Sequence, residues 1–121
     1  MRHRKPLTVL RRRAEFLAVA HNAKKWVAPG LIMQLGAHNA QQLIARYGLT
    51  ATTKIGNAVI RNRARRRLRA LALDVLASHA ATGHDYVLIA RNVTATCAYE
   101  DLKKELVTAL KKLGVYREAA Q

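Results

Sequence analysis

Seven basic residues and no acid stand between positions 54 and 71, in the run K-I-G-N-A-V-I-R-N-R-A-R-R-R-L-R-A-L. The chemistry open to such a set is recognition of a polyanion. Arginine dominates it, and a guanidinium donates paired hydrogen bonds to phosphate and stacks on bases, which suits structured nucleic acid. The spacing makes the run a helix, because Ile60, Ala64, Leu68, Leu71 and Val75 recur every three or four residues and form one apolar face. At about 100° per residue, Arg61, Arg65 and Arg69 make a row beside that face, while Asn62 and Arg66 fall on the far side. Asn57 stands at the N-cap position, after a glycine that permits a sharp turn. A plainly solvated face is the competing reading. It fits poorly: arginines four apart repel by roughly a few tenths of a kcal/mol, cations in the first turn oppose the helix dipole, and no nearby acid relieves either. Phosphate contact with counterion release would offset that repulsion.

Other chemistry is hard to build from this chain. His79, His84 and Asp85 match no zinc spacing and have no cysteine with them. Glu100, Asp101 and Glu105 are accounted for by the dipole at a helix start and by pairing with lysines one turn on. There is no nucleophile with an adjacent base, no glycine-rich phosphate loop, and no acid cluster for two-metal phosphodiester chemistry. No catalytic residue, protein-held metal or small-molecule cofactor is expected, and the chain alone does not read as a nuclease.

With 121 residues, half of them hydrophobic, the chain is expected to be one domain with a modest core. A net charge of +15 and a pI near 11.2 point to nucleic acid. An anionic membrane is the rival partner, but no apolar run approaches the ~20 residues of a span. The basic start has no apolar h-region, so a cytoplasmic protein is expected. Cys97 is the one cysteine, and it reads as a packing residue.

The elements that must carry the basic helix follow from the rest of the pattern. Residues 1–10 read as a loose basic arm, then Phe16, Leu17, Val19 and Ala20 give a short amphipathic helix with a poor N-cap that ends near residues 21–22. On pattern alone Phe16 is a core anchor. Strands are expected at 24–27 and 31–36 around Pro29-Gly30, and a third from 46, with Tyr47, Leu49, Ala51 and Thr53 on one face and Arg46, Thr50, Thr52 and Lys54 on the other. An antiparallel sheet with one wet face beside the basic helix would make a trough for a single strand. The basic helix is expected to run to about 77. Residues 86–90 form an inner strand, and a last helix starts at Tyr99 with Leu102, Leu106, Ala109 and Leu113 in register. Residues 115–121 read as a loose tail.

The run Lys54-Ile55-Gly56-Asn57-Ala58-Val59-Ile60-Arg61-Asn62-Arg63, continuing through Arg65 and Arg66, resembles the signature of the bacterial ribonuclease P protein subunit. The resemblance extends over roughly 10–114, taking in Phe16 to Val19, Gly48-Leu49-Thr50, and Tyr99-Glu100 followed by Lys103-Lys104. It implies an α+β fold, a two-layer sandwich in the order α-β-β-β-α-β-α, with a four-stranded sheet and an unusual left-handed crossover at the basic helix. It implies a catalytic RNA partner that uses magnesium ions to remove the 5′ leader of precursor tRNA, in a complex of one protein and one RNA. By matching positions, Lys54, Arg61, Asn62, Arg63, Arg65, Arg66 and Arg69 would meet that RNA, and Phe16 would line the trough for the leader.

Two positions depart from the family pattern. Ala20 stands where many members carry a second aromatic, and Thr53 where a further lysine is usual. Tyr47 and Trp26 are the candidates for the missing stacking surface, with ordinary core packing open for both. A small ribosomal or chaperone-like RNA-binding protein is the alternative function. A DNA-binding module would need a turn-linked recognition helix or a dimer seam, and neither is visible.

Overall fold

The computed structural model describes residues 6–22 and 24–118. In chain order these form β1 (Leu7–Val9), α1 (Arg13–His21), β2 (Lys24–Val27), β3 (Leu31–Leu35), β4 (Ala45–Thr50), a 3-10 turn (Thr53–Ile55), α2 (Ala58–Leu71), a π-helical turn (Ala72–Leu76), α3 (Ala77–His79), β5 (Asp85–Ala90) and α4 (Tyr99–Lys112). The sheet has five strands in the order β1-β4-β5-β3-β2. β5 is its central strand, parallel to β4 and antiparallel to β3.

Alternation along the strands sorts side chains onto two faces. Leu31, Met33 and Leu35, Ala45 and Tyr47, and Tyr86, Leu88 and Ala90 share one face, where they pack with Ala64, Leu68 and Leu71 of α2 and Leu102, Leu106 and Leu110 of α4. The other face carries a smaller core of Leu10, Val19 and Val87, with Phe16 and Ile89 packed against it. The expectation of one wholly wet face is therefore corrected. α1 crosses part of that face, held by Val19 and by the Asn22 side-chain amide, which donates to the Leu35 carbonyl at 2.8 Å.

Tyr47 shows how the basic helix crosses over. Its side chain lies on the α2 face, and its carbonyl accepts from the Leu10 amide on the β1 side. For L-residues, a side chain facing the viewer on an upward strand sends its own N–H and C=O to the right. With α2 in front, β1 therefore lies to the right of β4 and β5 to the left. The β4–α2–β5 connection moves left, which is a left-handed crossover against the usual rule.

Both expected tails need correction within the described residues. Leu7–Val9 pairs in parallel with 45–47 of β4, and Leu10 is 4% exposed, so this part of the arm is a fifth strand that caps the sheet edge. At the other end Val115 is buried and its carbonyl accepts from the Ala81 amide at 2.9 Å. Tyr116 bridges to Ala80 and stacks on His79, with ring centroids 4.9 Å apart. Residues 1–5 and 119–121 of the expected tails lie outside the described residues. The start of α1 is also better capped than its sequence suggested: Glu15 reaches back to accept from the Arg11 and Arg12 amides at 3.1 and 3.0 Å.

Candidate nucleic-acid interface

Helix α2 begins where Asn57 caps it, its side-chain oxygen accepting from the Ile60 amide at 3.0 Å. Gly56 before it has φ +146°, and a Cβ there would sit 3.0 Å from Ile60, so glycine is required at this turn. Ala64, Leu68 and Leu71 are fully buried, which fixes the rotation of the helix. Asn62, Arg63, Arg66 and Arg69 are consequently exposed, and Arg61 and Arg65 are half-buried at the flank. Arg63, Arg66 and Arg69 have no hydrogen bond or ion pair among the described residues, and the first turn holds no acid. Arg65 donates to the Ala51 carbonyl at 3.2 Å, tying the flank to the end of β4. The Nε of Arg61 is shut off from solvent with no hydrogen-bond partner among the described residues.

Arg67 is the exception within the run. It donates to the carbonyls of Thr94 and Cys97, so it clamps the loop between β5 and α4. Its position only 20° or so from Ile60 around the helix is the sequence signal for this inward role. The same loop is held by Arg91, which donates to the Ala28 carbonyl at 2.7 Å, and by Thr94, whose hydroxyl donates to the Gly30 carbonyl. Cys97 packs against the main core, half-buried.

On the second face of the sheet, α1 leaves one half of β3 and β5 uncovered. A cleft of about 480 Å³ opens there, lined by Ile32, Thr52, Lys54, Ile89, Arg91 and Asn92 among others. Lys54 is exposed at its rim, next to the start of α2. Arg91 and Asn92 are a cation and an amide that reasoning from the sequence passed over, although they follow directly on β5. Phe16 sits half-buried over β4. Gly48 makes room for it: a Cβ at Gly48 would come within 2.5 Å of the ring.

The other two aromatic candidates do not join Phe16. Tyr47 is 7% exposed in the main core, on the opposite side of the sheet, so it presents no stacking surface. Trp26 pairs across the strands with Met33 and packs toward α4, again on the opposite side. Both were placed by residue type, and β alternation turns both away from the trough.

Electrostatics within the fold are concentrated where α1 meets the sheet. Arg46 pairs with Glu15 at 3.0 Å and with Asp85 at 2.7 Å. The hydrogen bonds that Arg46 donates to the Asp85 carboxylate hold its pKa above the ordinary value. Backbone N–H donors at Arg12 and Arg11 hold the Glu15 carboxyl below the ordinary carboxylate range. Burial raises the Tyr99 phenol, as does its 2.6 Å hydrogen bond to Asp74 in the π-helical turn. His84 and His79 contact the carbonyls of Gly36 and Arg117 through Nδ1. Among the described residues no group of three or more His, Cys, Asp or Glu is arranged to hold a metal, and no helix is long and apolar enough to cross a membrane.

The family model for ribonuclease P matches residues 5–114. The ribonuclease P protein component of Paramagnetospirillum magneticum is 45% identical over 112 residues, covering 90% of this chain and 84% of that protein. That of Gluconacetobacter diazotrophicus is 44% identical over 107 residues, covering 88% and 90%. In three dimensions the chain is similar to the Staphylococcus aureus RNase P protein, with a TM-score of 0.74 at 23% identity over 90% of this chain and 97% of the other. The RNase P protein from Thermotoga maritima gives 0.71 at 22% identity, covering 85% and 94%. At these identities the structural likeness speaks for the fold, which carries the cationic helix on one layer and the open cleft on the other.

Proposed function

The chain belongs to the ribonuclease P protein family, and on that premise we propose that it works as the protein subunit of a ribonucleoprotein that cuts the 5′ leader from precursor tRNA. In this reading a ribonuclease P RNA is the catalyst and uses magnesium ions. One protein joins one RNA, in the cytoplasm. Asn62, Arg63, Arg66 and Arg69, flanked by Arg61 and Arg65, hold that RNA. Phe16 and the cleft beside Lys54 receive the single-stranded leader. Neutralising leader phosphates and stacking a base would favour precursor over mature tRNA.

The observation that supports this reading best is the exposed, acid-free arginine ridge of α2, whose Arg63, Arg66 and Arg69 have no hydrogen bond or ion pair among the described residues. In this reading the RNA supplies the chemistry, and the contribution of the protein is binding and orientation. The test is reconstitution of the protein with ribonuclease P RNA and precursor tRNA at low magnesium. Cleavage well above that of the RNA alone is expected, with none from protein alone. Absence of stimulation would leave a general RNA-binding protein instead.

A further inference from the structure

Two large apolar side chains stand exposed on α2 and its continuation, Val59 at 66% and Leu73 at 44%. They are not scattered. At about 100° per residue, Val59, Asn62, Arg66, Arg69 and Leu73 fall within a sector of about 80°, so they form one stripe along the outer side of the helix. All five are exposed, and none is acidic. The stripe is about 20 Å long at 1.5 Å per residue, with cations and an amide at its centre and an apolar side chain at each end.

That order is the reverse of a protein–protein interface, whose centre is apolar and depleted of charge and whose rim is polar. It suits an RNA surface in which phosphates meet the middle of the helix and ribose or base faces meet its ends. An A-form major groove is too deep and narrow for a helix, while the minor groove is wide, shallow and rich in ribose. We propose that the RNA contact of α2 extends beyond its arginines to Val59 and Leu73, which pack against ribose and base edges of a shallow, structured RNA surface. This rests on the reading of α2 as the RNA-binding helix and adds its apolar contacts.

The experiment compares Val59→Ser, Leu73→Ser and the double variant with wild type, using ribonuclease P RNA of the same organism, in equilibrium binding over a series of salt concentrations. Each single variant is expected to lose about three- to ten-fold in affinity, the transfer of part of one apolar side chain from water. The log–log salt slope and the thermal midpoint should stay at the wild-type values, since no charge and no core contact is removed. A double variant within two-fold of wild type would overturn the proposal. Arg66→Ala is the parallel arm: if it lowers affinity and slope while the apolar variants do not, only this inference fails. If all three side chains prove silent, the reading of α2 as the RNA-binding helix fails with it.

Discussion

Helices α2 and α4 are each 14 residues long, touch one another, and bury their apolar stripes in the same core. Their charges are arranged in opposite ways. α4 opens with Glu100 and Asp101 and closes with Lys111 and Lys112, as the helix dipole favours. α2 opens without an acid and carries its arginines unrelieved along the outer side. Since both stripes are equally well buried, packing does not account for the difference. What α2 gives up in local electrostatics is recoverable only from something outside the fold. The contrast repeats within α2, where neighbouring Arg66 and Arg67 face solvent and a carbonyl pair respectively.

The contrast is broken most directly by replacing Arg63, Arg66 and Arg69 with alanine. Three lost phosphate contacts should cost about 10²-fold in RNA affinity near physiological salt and flatten the log–log salt slope by about 2.7. The thermal midpoint should hold or rise, because repulsion is removed. Alanines at Lys103, Lys104 and Lys112 of α4 should do far less to affinity; equal losses from the two helices would show that net charge alone matters.

Arg67→Ala sharpens the division inside α2. Losing its charged hydrogen bonds to two carbonyls should destabilise the protein by about 2–3 kcal/mol in chemical denaturation. The salt slope for RNA should not move, and a flattened slope would put Arg67 among the phosphate contacts.

Phe16→Ala carries the comparison to the second face of the sheet. If its ring stacks on a leader base, about 1–3 kcal/mol of affinity is lost for precursor tRNA and little for mature tRNA. Early thermal unfolding with the precursor preference intact would assign Phe16 to the small core of Leu10, Val19 and Val87 instead.

The smallest effect belongs to Glu15, which gives α1 the capped start that α2 lacks in acidic form. Its pKa is lower in the folded protein, so its contribution is present above the ordinary carboxylate range and is lost as pH falls through the folded value. The thermal midpoint of wild type should exceed that of Glu15→Gln at neutral pH, and the gap should close in acid. A gap independent of pH would mean that shape, not charge, makes the cap.

The rotation of α2 was legible because a 3.6-residue period is written in Ile60, Ala64, Leu68 and Leu71, and the cap was legible in Asn57. The α4 register was legible on the same grounds, and the inner position of β5 in the continuous apolar run at 86–90. Short strands carried less. Leu7–Val9 is three residues long, and its pairing with β4 is a contact 38 positions away that no local pattern encodes. The turning of Tyr47 and Trp26 into the main core depended on strand parity relative to α1, which only the assembled sheet sets. Capping of α1 by Glu15 was missed because the cap comes from inside the helix and not from the residue before it.

Trp26 has a practical consequence for spectroscopy. It is the sole tryptophan, half-buried on the edge strand and turned toward Lys104 and Thr108 of α4, on the opposite side of the sheet from Phe16. Its emission should therefore report the integrity of the sheet edge and α4 while staying blind to occupancy of the trough. Unfolding and substrate binding can then be followed in one sample without an introduced label, the first by intrinsic fluorescence and the second by a dye on the RNA.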